Sequence, residues 1–325
     1  MTTYAGRRVL VAGGLGFIGA HLTTRLRALD ADVTVVTQSL ASHQDDVVRF
    51  ARANVRLVEA DVRDAAAIAD AVTGRDVVFS LAGRSGAVQS MEDPAADLDV
   101  NCRGALVLLE AIRVNSPSAR LVFASSRLAY GKGGDAPVDE DHPLDPLCVH
   151  AVHKLAAEQY LRLYGRAYGL QYSIARLTNP YGPGQPGDRT AYGVVNRLIH
   201  LALADQPLPI YGDGSQLRDY IYVDDAVEAL LRLGVAPEAA GHTYNVGSGV
   251  GTPIIGMARA ITEIAGTGTI QFVPWPAMAA VVETGDFVAN TARIRRELGW
   301  APAIGLHDGL SRTVAFYRSP MASAR

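Results

Sequence analysis

Short apolar runs alternate with longer stretches of helical spacing through the first half of the chain. Arg7 to Ala12 reads RRVLVA, Asp32 to Thr37 DVTVVT, Val55 to Ala60 VRLVEA, Asp76 to Ala82 DVVFSLA and Ala119 to Ala124 ARLVFA. Runs this short and this continuously apolar suit strands buried on both faces. Between them, the segment from Gly19 to Leu29, then Ala65 to Val72, Gly104 to Ile112 and residues 150 to 164 place apolar residues at helical intervals. Strand and helix in alternation predict an α/β fold, a doubly wound parallel sheet with ligands at the C-terminal strand ends.

After about residue 175 this regularity breaks, and loops such as NPYGPGQPGDRT (179 to 190) interrupt it. The expected organisation is a dinucleotide-type domain over residues 1–175 and a smaller substrate-binding lobe mainly over 176–325. Strand-like segments at Asp219 to Val223 and Thr243 to Val246 are expected to return to the first domain.

Composition narrows the function classes. With 325 residues, 49% hydrophobic and 19% charged, the chain can bury a large core. A net charge of −3, with both signs interspersed, offers no basic stripe for nucleic acid and no like-charge block. The N-terminus MTTYAGRRVLVAGG runs into a strand without an apolar leader, and no stretch approaches a membrane span, so a cytoplasmic protein without a membrane partner is expected. Cys102 and Cys148 fit neither a disulfide framework nor a metal site, and no metal is expected. Lysine occurs only at 132 and 154 in a chain that otherwise uses arginine. Lys154 on a predicted helix therefore suggests a site that needs a compact ammonium.

Gly13, Gly16 and Gly19 follow a strand and open a helix. Glycines so placed permit a tight turn, let backbone N–H groups approach a pyrophosphate and allow close helix packing. Further motifs follow in order: DVRD (61 to 64), LAG (81 to 83), VQSMEDP (88 to 94), NCRGALVLLEA (101 to 111), SSRLAYG (125 to 131), HAVHK (150 to 154), RLTNPYGPGQ (176 to 185), YGDGSQLRDYIYVDDAVEAL (211 to 230), YNVGSG (244 to 249) and LGWAP (298 to 302). In this order and spacing the chain resembles the extended short-chain dehydrogenase/reductase family, in its NAD(P)-dependent nucleotide-sugar epimerase and dehydratase branch, from about residue 7 to about 302.

The resemblance implies a Rossmann-type fold, an NAD or NADP cofactor, a nucleotide-sugar substrate and a homodimer through two helices, one containing Tyr160 and Tyr164. It implies cofactor contacts at Gly13, Gly16, Phe17, Ile18, Gly19, Thr37, Asp61, Val62, Leu81, Ala82, Asn101 and Lys154, with Asp61 and Val62 flanking the adenine. Ser126 would hold the reacting sugar oxygen and Lys154 the nicotinamide ribose; Asn179 and Arg218 would contact the diphosphate. A bland alternative for Arg218 is an ion pair with Asp219 or Asp224.

The departures from the pattern carry the interest. His150 stands where the family has the tyrosine that exchanges a proton with the sugar, and His153 replaces the usual small residue. A phenol titrates near 10 and an imidazole near 6.5, and beside Lys154 a neutral imidazole able to act as a base is expected. Three readings are open: His150 is the acid/base, directly or through water; the proton moves through Ser126 or another side chain; or redox chemistry is lost. β-strand residues Val36-Thr37 continue into Gln38-Ser39 with no acid for a ribose 2′-hydroxyl and no arginine for a 2′-phosphate, and the balance leans to NADP(H). Glu283 stands where related epimerases carry a diphosphate-gripping arginine, so the diphosphate is held differently or the substrate is not a common UDP-sugar. Arg127 and Leu128 replace the acidic pair of the 4,6-dehydratases, which argues against dehydration. The expected enzyme is a C4 epimerase or a 4-ketoreductase with Ser126, His150 and Lys154 as catalytic residues; a non-redox lyase or isomerase using His150 as base and a catalytically silent dinucleotide-binding protein are the alternatives.

Overall fold

The computed structural model describes residues 3–134, 137–185 and 193–319. Its strands are β1 Arg8–Ala12, β2 Asp32–Thr37, β3 Arg56–Glu59, β4 Val77–Ser80, β5 Arg120–Ser126, β6 Gln171–Leu177, β7 Asn179–Tyr181, β8 Pro207–Tyr211, β9 Leu217–Tyr222, β10 His242–Val246, β11 Gly251–Pro253 and β12 Thr269–Val273. Among the described residues, seven of them form one parallel sheet in the order β10-β6-β5-β4-β1-β2-β3.

Alternate residues of each central strand feed two different cores, which is why the strands are apolar without interruption. Val9 and Val11 of β1, with Val77 and Phe79 of β4, pack under helices Phe17–Ala28 and Val223–Val235. Leu10 and Val78 face the other way, beneath helices Ala65–Val72, Gly104–Asn115 and Val149–Tyr168. The expected doubly wound, Rossmann-type sheet is present, and its strand order reverses between β1 and β4. A crevice opens at the carboxyl ends of strands at such a reversal.

Two expectations about the second half need correction. Of the two segments expected to return, only Thr243–Val246 does, as β10 beside β6. Asp219–Tyr222 lies in β9, which pairs with β7 and β11 in a separate three-stranded sheet, because β10 already occupies the edge of β6. The 175/176 division falls inside β6, and within the irregular loop Asn179–Tyr181 is a strand; residues 186–190 of that loop lie outside the described residues. Helices Gln44–Arg52, Ala87–Glu92 and Pro94–Asp97 are not among the expected elements and are additions of the structure. No described helix is long and apolar enough to cross a membrane.

Helix Val149–Tyr168 is fixed to the sheet by a buried charge network. Glu158, fully buried, accepts from Arg176 of β6 at 3.0 and 2.6 Å and from Ser125 of β5 at 2.6 Å. Arg176 also lies over the Tyr130 ring, its guanidinium carbon 4.6 Å from the centroid. Removing one partner from a buried pair leaves an uncompensated charge. Glu158→Gln is expected to destabilise the protein by about 3 kcal/mol or more, measured by urea unfolding. A loss below about 1 kcal/mol, the range of an exposed pair, would show that Arg176 is not held by this carboxylate.

Candidate active site

At the reversal between β1 and β4 a cleft of about 1010 Å³ opens, with Gly13, Gly16, Phe17, Thr37, Asp61 and Val62 in its wall. Leu81 and Ala82, following β4, line it from the other side. Gly13 has φ +82°, and a Cβ there would lie 2.7 Å from the Ala82 backbone nitrogen. A Cβ on Gly19 would sit 2.1 Å from the Gly13 carbonyl oxygen. Both positions therefore exclude any side chain, and the bare backbone turn ends at the N-terminus of helix Phe17–Ala28. That geometry fits a dinucleotide pyrophosphate. Ile18, in the first turn of that helix, packs its side chain against the core and leaves only its backbone at the turn.

Asp61 is held in place by Arg63, whose Nε and Nη2 donate to it at 2.8 and 2.6 Å; those bonds keep its carboxyl below the usual range. Gln38 donates to the same carboxylate at 3.3 Å. Although no arginine follows β2 in sequence, the fold brings Arg25, Arg49 and Arg63 to this cleft from other elements. Arg49 is paired with Asp46 at 2.9 Å and Arg63 with Asp61 and Asp99.

The cleft reaches Gly83, where two buried polar groups meet. A Cβ on Gly83 would be 2.6 Å from Asn101 Oδ1 and 3.3 Å from Lys154 Nζ. Asn101 donates to the Arg84 carbonyl at 3.0 Å, while its Oδ1 is buried without a protein donor. Lys154 donates to the Ala124 carbonyl at 3.0 Å and stands 4.8 Å above the Phe123 ring centroid. Burial pulls its ammonium down to about 8.

His150 occupies the first turn of helix Val149–Tyr168, four residues before Lys154 and on the same face. Its backbone N–H donates to Ser90 Oγ at 3.0 Å, so the residue is anchored at the helix start. The side chain is 6% exposed, and its Nδ1 lies 3.5 Å from Asp97 Oδ2. His153 Nδ1 lies 2.7 Å from the other oxygen of the same carboxylate. Asp97, 2% exposed, is thus a residue that sequence reasoning missed, because nothing in its segment marks it as more than a polar helix position. The only available signal was that two histidines replace the expected residue types on one helix and would need a shared partner.

Charge decides the protonation pattern of this trio. Burial raises the Asp97 carboxyl, but hydrogen bonds from His150, His153 and Asn101 outweigh it and bring the group to about 2. Burial lowers His150, with Lys154 acting in the same sense and Asp97 against it. Two contacts compete for Nδ1: Asn101 Nδ2, a donor 3.4 Å away, favours a lone pair there, and ionised Asp97, 3.5 Å away, favours a proton there and the lone pair on Nε2; the charged partner makes the stronger bond. Among the described residues no cluster of His, Cys, Asp or Glu is arranged to hold a metal ion.

Ser126 ends β5, half-buried, with its Oγ accepting from Leu128 N at 3.2 Å. In the small sheet, Asn179 of β7 donates to the Asp219 carbonyl at 2.8 Å. Arg218 of β9 is 7% exposed and is bound by Glu283, with Nη1 donating to the Gly285 carbonyl at 2.6 Å. Neither of the two aspartates weighed as partners takes it. Glu283 therefore does not stand alone against a diphosphate; it neutralises the guanidinium expected to bind one.

The sequence profile of the NAD dependent epimerase/dehydratase family matches residues 9–247. The chain belongs to this family. A UDP-glucose 4-epimerase of Mycolicibacterium smegmatis is 34% identical over 321 residues, covering 96% of this chain and 99% of that protein. A dTDP-glucose 4,6-dehydratase of Xanthomonas campestris pv. campestris is 28% identical, covering 95% and 92%. The crystal structure of Thermus thermophilus UDP-glucose 4-epimerase in complex with NAD superposes with a TM-score of 0.87 at 31% identity, covering 96% of this chain and 99% of that one.

The Asp97–His150–His153 trio joins helices Pro94–Asp97 and Val149–Tyr168 close to this cleft. Its ionisation has a measurable consequence. Because the Asp97 carboxyl is depressed on folding, its contribution to stability is fully present above about pH 4 and is lost as the pH falls towards 2. Asp97→Asn is expected to remove about 2 kcal/mol of stability at pH 6 and little at pH 2, measured by denaturant unfolding at both values. An equal loss at both would mean that the carboxylate's charge is not what the histidines bind.

Proposed function

We propose that this protein is an NAD(P)-dependent enzyme that acts on a nucleotide sugar by hydride transfer at a sugar carbon, as a C4 epimerase or a 4-ketoreductase, with His150 as its acid/base. The observation that carries the proposal is the buried contact of Asp97 with His150, which lies on the helix that also carries Lys154 beside Gly83 of the cleft. The named substrate of the Mycolicibacterium relative supports the substrate class.

Each residue then has a task that its surroundings suit. Ser126 holds the reacting sugar oxygen. Asp97 fixes the His150 tautomer, so that Nε2 can take the hydroxyl proton as the carbon is oxidised and return it on reduction. The imidazolium formed in between faces an ionised carboxylate, which stabilises that charge. Lys154 holds the nicotinamide ribose. A bound nicotinamide would supply the hydride acceptor and donor. An imidazole is shorter than a phenol by roughly 2 Å, judged from bond lengths of about 1.4–1.5 Å, and a bridging water would span the difference.

Cofactor choice stays between NAD and NADP on these residues. Thr37 and Gln38 offer no carboxylate to a ribose 2′-hydroxyl, which favours NADP(H), yet Arg49 and Arg63 would have to leave Asp46 and Asp61 to meet a 2′-phosphate. The family and the Thermus complex support NAD. We further propose a homodimer through the helices Gly104–Asn115 and Val149–Tyr168, whose outer faces expose Val114, Leu163 and Tyr168. Tyr164 is buried within the protomer against Glu110, so Tyr168 is the better placed of these tyrosines for the interface.

Three measurements test the reading. Mass spectrometry of what the denatured protein releases separates the two types: stoichiometric NAD indicates a retained cofactor and an epimerase, NADP(H) or an empty site that takes up NADPH a ketoreductase, and a site that binds neither ends the redox reading. His150→Ala should lower turnover by about 10²-fold or more; near-normal turnover would exclude it as the acid/base. The pH profile has two limbs of known sign. His150 works as the neutral base, so kcat/KM should hold to below the ordinary imidazole value of about 6.5 before falling. Lys154 works as the cation, so activity should fall again as the pH rises through about 8. An acid limb above 7 would contradict the buried, neutral histidine.

A further inference from the structure

Arg127 follows Ser126 directly and opens the short 3₁₀ turn Arg127–Tyr130. It is 7% exposed, yet no carboxylate among the described residues pairs with it. Its Nη1 donates to Thr284 Oγ1 at 3.0 Å, and its guanidinium carbon stands 5.0 Å from the Phe287 ring centroid. Burial, with the like charge of Arg218, lowers the group to about 10. A buried guanidinium with one neutral hydrogen bond is costly unless something else satisfies it.

The nearby acids are already engaged. Glu283 is bound by Arg218 and by the Gly285 N–H at 2.9 Å. Asp219 accepts from Ser248 N and Oγ at 2.7 Å each, from Gly249 N at 3.0 Å, from Ala289 N at 3.1 Å and from Thr178 Oγ1 at 3.3 Å. A second buried polar group, on the strand that carries Arg218, lacks a partner: the Tyr220 hydroxyl is buried without a hydrogen bond. Tyr220 lies two residues after Arg218 on β9, so both side chains leave the same face of the strand. The charges of Arg218 and Arg127 both act on its phenol.

We propose that Arg127 and Tyr220 form a carboxylate-binding pocket, and that the sugar this enzyme takes carries an acid group, as a uronic acid does. The assignment rests on the reading of Ser126 as the residue that holds the sugar. Consecutive Cα atoms are about 3.8 Å apart, so the residue after Ser126 is anchored beside the hexose, while Arg218 and Asn179 remain for the diphosphate. A carboxylate offers the planar, two-oxygen partner that a guanidinium fork matches, and a phenol donates readily to it. A neutral hydroxymethyl group would leave the cation uncompensated.

The test is calorimetric titration of the cofactor-loaded protein with UDP-glucuronic acid, UDP-glucose and UDP, for wild type, Arg127→Met and Tyr220→Phe. Wild type should bind UDP-glucuronic acid about 10²-fold more tightly than UDP-glucose, the scale of a buried charge pair. Arg127→Met should collapse that ratio to within about threefold, and Tyr220→Phe should lower it about fivefold. Tyr220→Phe removes one orphan hydroxyl, so it keeps the question open to measurement even where the arginine variant fails to fold. A wild-type ratio near one, or equal losses for both sugars and UDP in Arg127→Met, would overturn the pocket and leave the nucleotide-sugar reading standing. Failure of wild type to bind any of the three ligands would end both.

Discussion

The site depends on one buried ion pair. Glu158 and Arg176 cross from helix Val149–Tyr168 to β6, and Ser125 of β5 closes the same carboxylate from the neighbouring strand. His150, Lys154 and Glu158 follow each other at intervals of four residues, so all three share one helix face. Fixing Glu158 against β5 and β6 therefore fixes the other two. Lys154 completes the seam by donating to Ala124 on β5, two residues before Ser126. Apolar contacts alone would hold the helix on the sheet but would tolerate small shifts along it. A charge pair saturated by directed hydrogen bonds selects one register, and the reacting groups inherit it.

On that scaffold, the proposed use of an imidazole in place of a phenol inverts what the surroundings must do. A phenol needs a neighbouring cation to become a usable base at neutral pH, because its ordinary value lies near 10. An imidazole at about 6.5 is already close, and the same cation would push it too far down. Asp97 supplies the opposing effect: burial and Lys154 lower His150, and the carboxylate works against them. The second histidine, His153, uses the free oxygen of Asp97 and so holds the carboxylate in place without competing for the atom facing His150. These three residues make sense together and none does alone.

Much of this was legible in the chain. The strands around the cleft and the helices Ala65–Val72, Gly104–Asn115 and Val149–Tyr168 followed from apolar spacing, because elements buried on a face must carry that spacing. Gly13 and Gly19 could be read for the same reason: a Cβ there would stand 2.7 and 2.1 Å from neighbouring backbone atoms, which admits nothing larger than glycine. What could not be read were partnerships made across long sequence separations. Asp97 meets His150 and His153 from a short helix of weak pattern, Arg218 meets Glu283 rather than an adjacent acid, and Arg49 and Arg63 arrive at the cleft from elements away from β2. Sequence spacing carries one-dimensional constraints well. A charge finds its partner in three dimensions, and the motif around Arg218 said nothing about a carboxylate 65 residues away.

The substrate lobe shows how such pairing distributes function. Two arginines, Arg127 and Arg218, stand near a single unsaturated acid, Glu283, since the backbone amides and hydroxyls around Asp219 already satisfy that carboxylate. Glu283 sides with Arg218, whose remaining donors also find the carbonyls of Leu217 and Gly285. Arg218 is therefore quiet in the free protein, and a diphosphate reaching it must compete with a carboxylate. Arg127 is left with a hydroxyl and an aromatic face. An acid at position 283, where the resemblance implies a cation, thus does more than subtract a phosphate contact. It leaves the uncompensated positive charge of the lobe beside Ser126 and not on β9 and, on the proposed roles of Ser126 and Arg218, moves the demand for an anion from the diphosphate end of a ligand towards its sugar.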